Sequence, residues 1–252
     1  MNRGSGEDGP ALGTSDRRSR RKTPPPRADE LGLLQRLLYS FLRGLIELVA
    51  RTVFRAEVVG KEKIPRSGAF ILAPGAHRSN LDTPLVGILT RRRMRYMGKE
   101  SLWRNPVSAW LLTMLGGFPV ERGTADRKAL RACIEVVERG EPLVMFPEGT
   151  RKSGPLIEEI YDGPAYVSCR TGVPIIPVGV GGTERAMPTG SKLIKPVRLA
   201  LVVGDPIDPP VVARAGHVPR RAVREMSEQL KKTLQELFDQ AEELSAERRG
   251  SR

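Results

Sequence analysis

The sequence predicts one α/β domain in which a mixed central sheet is flanked by helices. The chain has 252 residues, of which 39% are hydrophobic, so it is long enough to bury one sizeable core. Short apolar runs typical of buried strands alternate with segments that repeat apolar residues at helical spacing. No internal repeat is present. We expect the domain to span residues 58–212, with one helical segment before it and one after it.

Residues 1–29 are expected to form a disordered basic tail. They are rich in Gly, Ser, Pro and Arg, with a basic run at 17–22 followed by prolines at 24–26. Too little apolar surface is available to offset the conformational entropy of the chain. Such a tail either attracts anionic lipid electrostatically or is simply solvated, and its composition fits both interpretations.

Residues 30–57 contain an amphipathic segment that is predicted to be helical over 31–54. Its apolar residues cover a wide face, and its polar residues, spaced three or four apart, form a narrow stripe. The polar stripe consists of Arg36, Ser40, Arg43, Glu47 and Arg51. Such a helix fits a membrane interface, with its basic stripe toward the lipid headgroups, and it fits equally a core helix that covers a sheet.

The middle of the chain supplies the strands and helices of the domain. Apolar runs predict strands at 69–73, 96–97, 118–120, 143–146, 175–178 and 197–203. Helical spacing and capping residues predict helices at 82–89, at 107–115, from Thr124 to Gly140, and at 163–171. Beyond the domain, residues 213–252 comprise a tail and a helix over about 219–247 whose apolar residues share one stripe.

Neither a signal peptide nor an ordinary transmembrane helix is expected. The first residues lack an apolar central region, and no apolar, uncharged run reaches the ~18 residues that a span requires. Cys133 and Cys169 are far apart and lie in predicted helices. We therefore expect reduced core cysteines and a reducing compartment, not a disulfide framework.

The net charge of +13 indicates polyanionic partners, such as anionic lipid, nucleic acid or phosphorylated small molecules, although an Arg-rich soluble surface gives the same value. Nucleic-acid binders need stacking aromatics in a basic groove, whereas only 5% of these residues are aromatic. We therefore expect no nucleic-acid partner. A histidine among scattered carboxylates is a poor transition-metal site, so no metal or other cofactor is expected.

Residues 77–82 read H-R-S-N-L-D and follow a buried strand and a turn. Strand ends of this kind deliver side chains to a crevice. In one continuous helix, His77 and Asp82 would point about 140° apart, so they meet only if His77 lies in the turn before the helix. Asp82 would then hold one ring nitrogen and leave the other as a general base. The alternative is that Asp82 caps a helix and His77 is a surface loop residue.

Two further short strands are followed by arginine. Residues 146–151 read F-P-E-G-T-R and residues 117–122 read G-F-P-V-E-R. The planar donor fork of Arg151 is suited to gripping a phosphate, and Glu148 is suited to orienting that arginine or a neighbouring amide. Taken singly, either cluster is equally well explained as a salt-bridged turn.

Taken together and in chain order, these clusters resemble the motif blocks of the glycerolipid acyltransferase family. The remaining block is residues 173–178, which read V-P-I-I-P-V, and the similarity spans residues 58–210. The F-P-E-G-T-R block is its most specific part. The family includes 1-acyl-glycerol-3-phosphate acyltransferases. The resemblance therefore implies an enzyme that moves a fatty acyl group from acyl coenzyme A or acyl carrier protein to a lysophospholipid hydroxyl.

The resemblance also implies roles for the matching residues. His77 would be the general base and Asp82 its orienting partner. The implied substrate-binding residues are Arg122, Glu148, Gly149, Thr150, Arg151 and Pro177. The family fold carries an N-terminal helical anchor, which favours the membrane interpretation of residues 30–57. We therefore expect a peripheral, monotopic enzyme at the cytoplasmic face of the cell membrane, in contact with anionic lipid.

The expected reaction is a direct transfer, in which His77 takes the proton of the acceptor hydroxyl as its oxygen attacks the thioester. Backbone N–H groups near the His77 turn are the expected donors to the oxyanion. Ser79 is expected to be a supporting hydrogen-bonding residue, because the sequence contains no G-x-S-x-G nucleophile elbow.

Two positions depart from the family pattern. The residue before the histidine is often asparagine in the family and is Ala76 here, and Tyr161 and Asp162 stand where a lysine is expected near a glycine. The second departure leaves the acceptor open to another lysophospholipid, a glycolipid or glycerol 3-phosphate. A non-catalytic lipid-binding protein is the alternative of another class.

Overall fold

The computed structural model describes residues 31–120, 127–210 and 217–247. The predicted tail at 1–29, the predicted cap at Thr124 and the candidate substrate-binding residue Arg122 lie outside the described residues.

The described strands form one seven-stranded sheet. They are β1 Glu57–Val59, β2 Ile71–Pro74, β3 Arg95–Lys99, β4 Gly117–Val120, β5 Leu143–Val144, β6 Ile175–Gly181 and β7 Ala200–Val203. Their order across the sheet is β1-β7-β6-β2-β5-β3-β4, and all neighbours are parallel except β6 and β7. The predicted α/β domain with a mixed sheet is confirmed.

The helices cover both faces of this sheet. They are α1 Leu33–Thr52, α2 Asp82–Val86, α3 Pro106–Met114, α4 Arg127–Glu138, α5 Gly163–Thr171, α6 Thr183–Ala186 and α7 Arg220–Ala246. One core cluster joins a sheet face to Ala50 of α1, Leu85 of α2 and Ala186 of α6. The cluster on the opposite face contains residues of α4, α5 and α7. The molecule therefore has two helical layers around one sheet.

Glycines in β6 let α7 lie directly on the sheet. A Cβ atom added to Gly179 would come within 2.1 Å of the Leu237 carbonyl oxygen, and one added to Gly181 within 2.2 Å of the Ala241 carbonyl oxygen. A strand glycine often marks such a close backbone approach. These glycines therefore serve helix packing, which fixes the position of α7 beneath the candidate site.

Cys133 and Cys169 are buried and are not paired with each other, and burial raises the pKa of the Cys133 thiol to about 12. Because only the thiolate is nucleophilic, we expect neither thiol to react with Ellman's reagent at about pH 8 while the protein is folded. After denaturation both should react. Rapid labelling of Cys133 in the folded protein would contradict its burial.

Candidate active site

The turn between β2 and α2 brings His77 and Asp82 together. His77 Nδ1 lies 2.9 Å from Asp82 Oδ2. The helix begins only at Asp82, so His77 lies in the turn before it, which is the arrangement that the contact requires. Ala76 has a φ of 58°, in the left-handed region that asparagine adopts more readily than most residues. The backbone of the turn thus explains why asparagine suits the position before the histidine.

Asp82 holds the turn as well as the imidazole. Its Oδ2 atom accepts hydrogen bonds from the Arg78 N–H at 2.9 Å and from the Ser79 N–H at 2.8 Å, and the side chain is buried. The N-cap position of the helix is Leu81, which makes no side-chain capping hydrogen bond, so Asp82 is the first helical residue and not its cap. The contact with the His77 ring is the one that the orienting-partner interpretation requires. Because the carboxylate accepts from Nδ1–H, the neutral imidazole keeps Nε2 unprotonated. The His77 ring packs on Phe146, with ring centroids 4.2 Å apart.

Three amide groups of the turn are already engaged. The His77 N–H donates to Glu148 Oε2 at 2.8 Å, and the next two amides donate to Asp82. A backbone N–H donates one strong hydrogen bond. These three N–H groups hold two carboxylates in place, so an oxyanion donor near the His77 turn must be another N–H group. That backbone amides near this turn bind the oxyanion stays a prediction.

Arg78, which the sequence did not single out, is buried beneath the site. Its Nη1 atom donates to Glu148 Oε1 at 3.0 Å and to Oε2 at 3.3 Å. Its Nε and Nη2 atoms donate to the carbonyls of Gly154 and Leu156 at 3.1 and 2.7 Å. The guanidinium carbon also lies 5.6 Å from the centroid of the Phe238 ring. Arg78 therefore joins the histidine turn to the F-P-E-G-T-R loop and to α7.

Glu148 contacts protein groups on the inner side of the site. It is 2% exposed, and its carboxylate accepts hydrogen bonds from the Arg78 guanidinium and from the His77 N–H. From the sequence, Glu148 was suited to orienting either Arg151 or a neighbouring amide. The observed contact is with the amide of His77 and not with Arg151. Arg78 and Glu148 lie within two of the motif blocks, but they are 70 residues apart in the chain, so the pairing follows from the fold and not from local sequence.

Arg151 lies at the surface beside the same turn. It is exposed, and its Nη1 atom donates to Asn80 Oδ1 at 2.6 Å. Asn80 lies between His77 and Asp82 in the chain, so this bond places a cation at the edge of the histidine site. A fixed, exposed guanidinium of this kind is suited to binding a phosphate.

The remaining residues of the F-P-E-G-T-R loop shape its backbone. Gly149 has a φ of 67°, and a Cβ atom there would lie 2.7 Å from the Tyr161 ring, so the loop requires glycine. Thr150 is exposed, and its N–H donates to the Glu148 carbonyl at 2.7 Å. Tyr161, one of the departures from the family pattern, therefore packs against the loop.

Pro177 lies inside the sheet. It is buried in β6 opposite Ala73, and its carbonyl accepts a hydrogen bond from the Gly204 N–H at 2.9 Å.

The other histidine, His217, is exposed. Within the described ranges, no group of three or more His, Cys, Asp or Glu side chains is arranged to hold a metal ion.

The fold and the site together define an α/β domain that presents a histidine–aspartate pair on a strand-to-helix turn next to an exposed arginine. The chain belongs to the Acyltransferase family, whose model matches residues 55–181.

Relatives with named activities support this membership. The chloroplast 1-acyl-sn-glycerol-3-phosphate acyltransferase of Brassica napus is 28% identical over 141 residues, which are 55% of this chain and 41% of that protein. The lyso-ornithine lipid O-acyltransferase of Pseudomonas aeruginosa is 28% identical over 164 residues, which are 65% of this chain and 60% of that protein. The chain thus spans less than two thirds of the length of either relative.

A solved structure has the same fold. The crystal structure of the 1-acyl-sn-glycerophosphate acyltransferase of Thermotoga maritima matches with a TM-score of 0.65 and 26% sequence identity. The match covers 87% of this chain and 86% of that chain.

Proposed function

We propose that the chain is an O-acyltransferase that moves a fatty acyl group from acyl coenzyme A or acyl carrier protein to the hydroxyl of a lysophospholipid. The acceptor that fits best is 1-acyl-glycerol-3-phosphate, which would give phosphatidic acid. The observation that carries this proposal is the 2.9 Å contact between His77 Nδ1 and Asp82 Oδ2 beside the exposed guanidinium of Arg151. Family membership and the activities of the relatives support it.

In this proposal His77 is the general base. The acceptor hydroxyl donates a hydrogen bond to Nε2, and its proton passes to this nitrogen as the oxygen attacks the thioester carbonyl. Asp82 then stabilises the imidazolium through the Nδ1–H bond. The tetrahedral intermediate collapses and expels the thiolate, which takes the proton back from Nε2. The products are an ester and a free thiol, and the histidine returns to its starting state without a covalent acyl-enzyme.

Glu148 and Arg78 act as positioning residues in this scheme. Glu148 accepts from the backbone N–H of His77, so it fixes the residue from the main-chain side while Asp82 fixes the ring. Holding a reacting group in its productive geometry lowers the entropic part of the barrier.

Arg151→Ala is expected to weaken the binding of phosphorylated acceptors selectively. A hydrogen bond to a charged group contributes about 1.5–3 kcal/mol, so kcat/KM for 1-acyl-glycerol-3-phosphate should fall by about 10- to 100-fold. The kcat/KM for an uncharged monoacylglycerol should fall far less. The matched control is Arg221→Ala on α7, which removes the same charge from an exposed site. Equal losses with both acceptors would remove the phosphate-binding role.

We also propose peripheral association with the cytoplasmic face of the cell membrane through α1. The outward side of this helix exposes large apolar residues, among them Leu33 at 75%, Leu34 at 79% and Phe41 at 66%. On its inner side, Arg43 donates to the carbonyls of Thr90 and Ile88, which ties the helix to the domain. These exposed apolar residues, which we call the apolar stripe of α1, are thus available to contact lipid.

One cation of the polar stripe of α1 faces the domain. Arg43 is turned toward the domain, with 15% of its side chain exposed, and its Nη1 atom pairs with Glu47 at 3.2 Å. None of the described helices is long and apolar enough to cross a bilayer.

A panel of acceptors tests the proposed activity. Radiolabelled acyl coenzyme A is incubated with lysophosphatidate, other lysophospholipids, a lyso-ornithine lipid, a glycolipid and glycerol 3-phosphate, and the products are separated. We expect phosphatidic acid to form fastest. A faster reaction with another acceptor would keep the enzyme class and replace the substrate. Lipid binding without release of coenzyme A would indicate the non-catalytic alternative.

A further inference from the structure

Residues 187–195 form a loop that presents two adjacent apolar side chains to solvent. Leu193 is 77% exposed and Ile194 is 55% exposed. Lys192 and Lys195, which flank them, are exposed as well. The loop therefore carries an apolar tip between two cations.

The loop has a defined backbone. The Lys195 N–H donates to the Ala186 carbonyl at 2.8 Å and closes its base, and the Ser191 N–H donates to the Pro188 carbonyl at 2.9 Å. The Ser191 hydroxyl oxygen accepts from the Leu193 N–H at 3.1 Å. These bonds hold the apolar tip outward.

The loop is also bonded to the histidine turn. The Ser79 hydroxyl donates to the Met187 carbonyl at 2.8 Å, and the Thr189 hydroxyl donates to the Arg78 carbonyl at 3.0 Å. Ala186 at the base of the loop packs in the same core cluster as Ala50 of α1. The loop and α1 therefore lie on the same face of the sheet, and the loop is the part directly bonded to the residues that follow His77.

We propose that this loop is a second lipid-contacting element, in which Leu193 and Ile194 enter an anionic bilayer surface while Lys192 and Lys195 contact lipid phosphates. Apolar burial and attraction to anionic headgroups act together in such elements, and the lysine stems reach past the apolar tip. The contact would hold the histidine turn at the level in the bilayer surface where the hydroxyl of a membrane-embedded acceptor lies. In this respect the inference rests on the proposed function.

An acidic protein surface, such as that of an acyl carrier protein, is the competing partner. It would use the two lysines but would leave the exposed Leu193–Ile194 tip without an apolar counterpart. The shared face with the apolar stripe of α1 favours the bilayer.

Vesicle sedimentation of the full chain tests this proposal without any substrate. The vesicles contain phosphatidylcholine alone or with phosphatidylglycerol. We expect the double substitution Leu193→Ser and Ile194→Ser to weaken binding to the anionic vesicles by about tenfold or more. The double substitution Lys192→Gln and Lys195→Gln should weaken it by about fivefold for each lysine, and added salt should reduce this difference. Thermal unfolding of each variant checks that the fold is retained.

The matched control is the double substitution Lys231→Gln and Lys232→Gln on α7, which removes the same charge from exposed positions on the opposite face of the sheet. Its vesicle binding should stay close to that of the wild type. Loop variants that bind vesicles as tightly as this control would overturn the proposal. So would loop variants that keep vesicle binding and lose only the rate with acyl carrier protein as donor, since that result assigns the loop to a protein partner.

Activity provides a second readout that separates this inference from the proposed function. The Leu193→Ser, Ile194→Ser variant should keep wild-type turnover with a short-chain, monomeric acceptor and lose turnover with an acceptor embedded in vesicles. Equal turnover by variant and wild type on vesicles would contradict the loop proposal. A wild-type protein that turns over neither acceptor would remove the proposed function, while the sedimentation result would still decide the role of the loop.

Discussion

Substitution of His77 by alanine is expected to lower the turnover number by about 10²- to 10⁴-fold, which is the range that a positioned general base contributes. The loss should appear in kcat, because the imidazole acts on the proton that moves in the transition state. The fold should survive, since the side chain lies at the edge of the crevice, 17% exposed. Initial rates with acyl coenzyme A and lysophosphatidate measure the effect, and circular dichroism checks the fold.

The second histidine of the chain supplies the control. His217 is exposed, so His217→Ala should leave the rate unchanged. A folded His77→Ala protein that retains more than about a tenth of wild-type activity would exclude His77 as the general base, because it would fall short of even the smallest expected loss.

Substitution of Arg78 by methionine is expected to destabilise the folded protein by about 3–5 kcal/mol, because it leaves the buried Glu148 carboxylate without its cation. The side chains of both residues are 1% exposed, and Arg78 also supplies hydrogen bonds to two loop carbonyls. Urea unfolding at equilibrium measures the change in the free energy of unfolding.

The control for this prediction is an ion pair on the surface. Arg224 Nε lies 3.1 Å from Glu228 Oε1, but both side chains are largely exposed. Exposed pairs of this kind contribute about 0.2–1 kcal/mol, so Arg224→Met should change stability little. If Arg78→Met and Arg224→Met unfold at the same urea concentration, the Arg78–Glu148 pair does not stabilise the site as we infer.

Much of the fold was predictable because local signals mark its elements. The helix predicted at 163–171 is observed at Gly163–Thr171, since Pro164 favours a helix start and Gly172 a helix end. The strand predicted at 143–146 ends at Val144, two residues early. Helix α6, which has four residues, was not predicted because one turn is too short to show a helical period.

The site was partly predictable for a similar reason. The meeting of His77 and Asp82 depends only on where α2 begins, and the sequence around the turn indicated that point. The buried position of Arg78 depends instead on Glu148 and on the carbonyls of Gly154 and Leu156, all at least 70 residues away. Arginine is rarely buried unless paired, and local sequence does not show where such a partner will lie.

The orientation of α1 shows the same dependence on distant groups. The sequence predicted a wide apolar side and a polar stripe. It did not indicate that Arg43 faces inward, because the carbonyls that accept its hydrogen bonds belong to residues 88 and 90, more than 40 positions along the chain.

The stoichiometry of acyl transfer tests the central claim most directly. Purified protein is mixed with acyl coenzyme A, with and without lysophosphatidate, and free thiol and new diacyl product are counted in the same reaction. Direct transfer with His77 as base predicts one thiol for each diacyl product and no thiol above background when the acceptor is absent. Thiol release that does not depend on the acceptor, or that yields no diacyl product, would contradict this account.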